Sequence, residues 1–286
     1  MTDTENMSLT VVTRRSAVAT AALALSTLGI VGAVAPAVAD TLSDGPATVT
    51  GATGPDAAFK RIGDVTRTAR TSGATAFAAR GVTPGSTSYS FSTVLDGSPV
   101  RWDPCTTIRW TANVASAPAG GLDVLKAAVA RVGALTGTSW EFVGTTATQP
   151  AAGYLPIRAQ AQYPPVLIGW TDGTKSDLLA GQARSVLGMT RTAWFGVQLP
   201  DGKKLAATRG AVIALDRTDA LPLKGNNSWS AVALHELAHA MGLGHVSDRT
   251  QLMASVLPAV TDLQAGDRAG LAKVGRAAGC VTVPGA

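Results

Sequence analysis

At 286 residues and 46% hydrophobic, with aromatics at only 5%, the chain can bury one sizeable core built mainly from Ala, Val and Leu rather than large rings. The formal charge of +5 is scattered, with no run of Lys and Arg and no interleaved aromatics, which argues against a nucleic-acid surface and for a charged, soluble exterior. The 31 Gly and 15 Pro follow no fixed period, which excludes a solenoid or propeller.

The chain opens on a processing pattern. Arg14 and Arg15 precede an apolar stretch from Ala17 to Ala35, and Ala37-Val38-Ala39 follows as the small-x-small site that signal peptidase cuts after. Residues 1–39 are therefore expected to be a signal peptide, with the exported chain starting at Asp40. An uncleaved anchor is the alternative, and Pro36 with the Ala-x-Ala site weighs against it. Thr13-Arg14-Arg15-Ser16-Ala17-Val18 lacks a bulky apolar residue soon after the pair, so general secretion is expected rather than twin-arginine export. The leader carries two Arg and two acids, so its removal leaves the charge surplus unchanged.

Residues 40–88 are rich in Ala, Thr, Gly and Ser without a sustained period and read as a linker or pro-segment. From residue 89 to 286 the composition is that of one folded domain. Ile108 to Val114 alternates like a strand, Leu122 to Leu135 has helical spacing, and Trp140 to Val143 is β-prone. Further strands are expected over Val166 to Trp170, Met189 to Leu199 and Ala211 to Leu215. A helix should start at the cap Ser228 and run through Met241 to Gly242, and another should cover Leu263 to Val274. The expected class is α+β, an α/β-type sandwich in which a mixed sheet is packed by a few helices. Cys105 and Cys280 are the only cysteines, and in an exported chain they are expected to pair, tying the start of the domain to its end.

All 3 His of the chain fall in the run His235-Glu236-Leu237-Ala238-His239-Ala240-Met241-Gly242-Leu243-Gly244-His245. Residues four apart share a helical face, so His235 and His239 can reach one ion, and neutral imidazole nitrogens suit zinc. Glu236 points about 100° around the axis, where it can address an activated water without displacing a ligand. His245 can reach the same ion only if the chain turns sharply after the helix, and Gly242 permits that turn. The alternative, three ordinary histidines on an amphipathic helix, does not account for this clustering.

His-Glu-x-x-His-x-x-Gly-x-x-His resembles the signature of the metzincin metalloproteases at every specified position, and the run looks most like the matrixin branch, including exported bacterial matrixin-family proteins. The resemblance extends from about Tyr89 to Cys280. It implies a metzincin-like mixed sheet with an active-site helix, a C-terminal helix and a Met-turn, in which Gln251-Leu252-Met253 would place Met253 beneath the metal. It implies one catalytic zinc held by His235, His239 and His245, with Glu236 as general base taking a proton from water and passing it to the leaving amine. Substrate would lie extended and antiparallel to an edge strand within Met189 to Leu199, with Val256, Leu257 and Pro258 walling an apolar pocket after the scissile bond. Matrixins usually follow the Met with Tyr-Pro, where this chain has Ala254-Ser255, and no cysteine-switch segment is recognisable. Cys105 as a cap on the zinc is an alternative to the disulfide. No His remains for a second, His-built zinc site, and calcium sites are not read from the sequence.

The function expected is a secreted, extracellular zinc endopeptidase acting on proteins or peptides, a monomer with no nucleic-acid partner and no stable membrane association once the leader is gone. The rivals are a catalytically silent zinc-stabilised adhesion or binding module, against which Glu236 argues, and a cell-wall amidase, which a three-His site does not suit.

Overall fold

The computed structural model describes residues 8–13, 88–156, 162–183, 185–199 and 201–283. The expected cleavage site, most of the leader and nearly all of the linker lie outside the described residues. Among the described residues the strands are, in chain order, β1 Ser8–Thr13, β2 Val94–Leu95, β3 Ser98–Pro99, β4 Arg101–Trp102, β5 Ile108–Asn113, β6 Trp140–Thr145, β7 Val166–Thr171, β8 Val186–Gln198 and β9 Lys204–Asp216. Three α-helices accompany them, α1 Gly121–Thr136, α2 Trp229–Met241 and α3 Ala265–Val274. Among the described residues no helix is long and apolar enough to cross a membrane.

The main sheet runs β1-β8-β9-β7-β5-β6, with β4 pairing β9 off this path, while β2 and β3 form a separate small ladder. β5, β6, β7 and β9 are mutually parallel, and β8 is antiparallel to β9 from Gly188↔Leu215 to Gln198↔Lys204. Parallel strands need covered faces, and the sequence supplies the cover. α1 and α2 bury Val124, Leu125, Val129, Val132, Val232 and Leu237 in the main core with Trp110, Ile168, Trp170, Ile213 and Leu215 of the sheet. The opposite face is closed by the loop residues Leu155, Leu178 and Leu179 over Leu167, Met189, Val212 and Ala214. This is the expected mixed sheet with helices, dominated by parallel pairing.

α1 matches its predicted span because glycines bracket it, Gly120 at φ 81 and Gly137 at φ 66. Its Arg131 reaches Asp262 at 2.6 Å, ahead of α3. α3 starts at Ala265 rather than Leu263, because Gln264 takes the cap position and its side chain and that of Asp267 form a reciprocal capping box. β9 begins at Lys204, well before the predicted Ala211. In Lys204-Leu205-Ala206-Ala207-Thr208-Arg209-Gly210 small side chains hide the period, and the strand is drawn out by pairing with β8 instead. β1 was not foreseen. It falls within the expected leader and pairs antiparallel with β8, from Ser8↔Thr192 to Thr13↔Val186. The outer edge of β8 is therefore already paired over that stretch, where the resemblance expected a free edge.

Candidate metal centre

α2 places the first two imidazoles. Ser228, fully buried, accepts from the Ala231 amide at 3.4 Å and donates to Gly225 O at 2.6 Å, fixing where the helix begins. Trp229 anchors the first turn by an edge-on contact with Trp170 of β7. The helix is buried all round, and Trp102 Nε1 donates to Ala240 O at 2.7 Å near its far end. Gly242 then stops it at φ 112, its amide donating to the last carbonyls, Ala238 O and His239 O. Any Cβ there would also stand 2.8 Å from Val100 O, so glycine is required twice over.

This stop turns the chain so that His245 comes back over the helix. The three Nε2 atoms converge, at 2.8 Å for His235 and His239 and 3.2 Å from each of these to His245. Nitrogens on a tetrahedral zinc are about 3.3 Å apart at ordinary Zn–N lengths, so the triangle suits that ion. The tautomers agree. His235 Nδ1 lies 2.6 Å from Leu252 O and His239 Nδ1 2.7 Å from Leu243 O. A carbonyl only accepts, so each Nδ1 holds the proton and each Nε2 presents a lone pair. Burial, then the neighbouring imidazoles, push His235 and His239 well below the usual histidine pKa, favouring neutral rings. Nitrogen lone pairs gathered this way could hold a metal ion.

Glu236, next to His235 in the helix, is fully buried, and one carboxylate oxygen, Oε1, has no hydrogen-bond partner among the described residues. Burial pushes its pKa up to about 8, and the Thr190 hydroxyl pulls the other way. Met253 is buried under the ligand loop, where Val246 N donates to Met253 O at 3.0 Å. Leu257 and Pro258 are buried and Val256 half-buried in the segment that follows. Cys105 and Cys280 form a disulfide with Cα atoms 5.5 Å apart, which overturns Cys105 as a zinc cap.

Several supports were not foreseen. Asp267 of α3, buried at 1% exposure, accepts from Leu252 N at 2.8 Å and Met253 N at 3.2 Å, so the helix grips the Met-turn. The Gln264/Asp267 spacing was a readable signal for it. Ser90 Oγ donates to His245 O at 2.6 Å, and Gly244 N donates to Ser90 O at 2.9 Å, so the segment at Ser90 straps the loop that carries His245. Thr190 donates to Glu236 Oε2 at 2.6 Å. Neither Ser90 nor Thr190 carries a local sequence signal.

The family model described as Matrixin matches residues 153–274, the stretch that holds β7 to α3 and with them His235, Glu236, His239, His245 and Met253. No curated protein matches the chain.

Proposed function

We propose that this chain, which is similar to the Matrixin family over residues 153–274, is a matrixin-like, exported zinc endopeptidase in which His235, His239 and His245 hold the metal and Glu236 is the general base. The observation that supports this reading is the convergence of three Nε2 atoms, on a helix that also carries a buried carboxylate with one oxygen unpartnered among the described residues. When bound, zinc supplies a Lewis acid that polarises a peptide carbonyl and acidifies water toward a pKa of about 7. The chain's own groups do the rest. Three neutral imidazoles leave the ion its full positive charge, which favours ionised Glu236. Oε1 takes the proton from water and returns it to the leaving amine. A merely structural site has no use for that carboxylate, which disfavours the silent binding module.

Cutting after Ala39 would remove β1 along with the leader. That would free the outer edge of β8 from Val186 to Thr192 for an extended peptide paired antiparallel. The wall built by Val256, Leu257 and Pro258 is apolar and supports an apolar residue after the scissile bond.

The test is a pair of variants. Glu236→Gln should keep one zinc per chain and lose about 10² to 10⁴-fold in casein cleavage. His239→Ala should lose the zinc itself, with much local stability. A Gln variant digesting casein at close to the parent rate would overturn the mechanism.

A further inference from the structure

β8 carries a seat for the Glu236 side chain that no feature of α2 announces. Gly188 and Thr190 lie two apart and so share one face of the strand, opposite Leu215 and Ile213 of β9 and toward α2. The Thr190 hydroxyl lies 2.6 Å from Glu236 Oε2 and 3.0 Å from Glu236 O. It has one proton to give. The side-chain oxygen is the shorter contact, so the proton goes to Oε2. Thr190 is 1% exposed and Glu236 fully buried, so no bulk water competes for either group. A β-branched residue in a strand is stiff at χ1, which makes the donor a fixed point.

Gly188 completes the seat by what it lacks. A Cβ on it would stand 2.8 Å from Glu236 Oε1, 3.0 Å from Cγ and 3.1 Å from Cδ. The carboxylate fills the space that any other residue would occupy. With Oε2 held by Thr190 and the carboxylate seated over the bare backbone of Gly188, Oε1 is the oxygen left without a partner among the described residues.

We propose that Thr190 is the positioning residue of the general base: it holds Oε2 so that Oε1 faces the reacting water, and Gly188 provides the room. The proposal rests on Glu236 being that base. Preorganised support of this kind fixes a reacting group to within a fraction of an ångström, and its loss lowers turnover more than binding.

The glutamates of the chain are Glu5, Glu141 and Glu236, so glutamate labelled with ¹³C at Cδ gives few signals, and Glu236→Gln assigns the one of interest. Thr190→Val keeps the shape and removes the donor, whereas Thr190→Ser keeps the donor. In metal-free and zinc-loaded protein alike, the Glu236 signal should move in the Val variant and return toward the parent position in the Ser variant. Zinc content should stay at one per chain. With a peptide substrate, kcat should fall about 10- to 100-fold in the Val variant with KM within about twofold, and the Ser variant should recover most of it. Gly188→Ala, which leaves Thr190 in place, should displace the same signal and lower kcat. A Val variant with an unmoved signal and parental kcat overturns the proposal. So does a Ser variant that fails to rescue, since packing rather than the donor would then be at work. If the Val variant does not fold, Gly188→Ala with an unmoved signal overturns it. Failure of Glu236 as base is distinguishable, because Glu236→Gln would then stay active whatever the signal does.

Discussion

Tyr154 shows how one half-buried hydroxyl ties stability to pH. Its hydroxyl donates to Pro165 O at 2.7 Å, and burial raises its pKa from 10.0 to about 12. A folded-state pKa above the unfolded one means that the neutral hydroxyl's stabilisation is fully present below about pH 10 and is lost as the pH climbs through about 12. Urea midpoints measured from pH 9 to 12 should show the parent losing its lead over Tyr154→Phe across that window, and a constant gap would refute the assignment. The residues of the candidate metal centre were legible for a related reason of locality. His235, Glu236, His239, Gly242 and His245 all lie within one helix and the turn that ends it, so their spacing alone specifies the geometry. Thr190 was not legible. It meets Glu236 from 46 residues away, and a threonine in a strand reads as an ordinary β-former until its neighbour is known.

At the scale of elements, α2 was readable at both ends because the cap at Ser228 and the stop at Gly242 are both local chemistry. The edges of the sheet were harder. β1 and the first half of β9 owe their existence to β8, and pairing partners leave no trace in the paired segment's own period. The cap also gives a prediction. Ser228→Ala removes the side-chain oxygen that receives the Ala231 amide and should cost about 1 kcal/mol, read as a lower Tm of metal-free protein, with zinc stoichiometry unchanged. An unaltered Tm would mean that burial of the helix alone defines its start.

For the whole molecule the main constraint is covalent. The Cys105–Cys280 bond closes a loop of sequence separation 175, which the chain-entropy account values at about 5 kcal/mol. Non-covalent ties gather beside it. Asp103 Oδ1 accepts from Cys105 N at 3.0 Å and Val281 N at 3.1 Å, and Arg101 Nη2 donates to Ala278 O at 3.0 Å. Cys280→Ser, Cys105→Ser and the double variant should lose the same stability within error, since any one of them opens the loop. Equal urea midpoints for oxidised and reduced parent would show that these hydrogen bonds suffice without the bond. The loop has a further consequence for an enzyme that lives among its own kind. Every residue proposed to hold zinc and the proposed base lie between the two cysteines, as does the exposed turn Asp201-Gly202 that joins β8 to β9. A molecule clipped there by a sister copy would remain one covalent particle, its wound visible on a gel only after a reductant has been added.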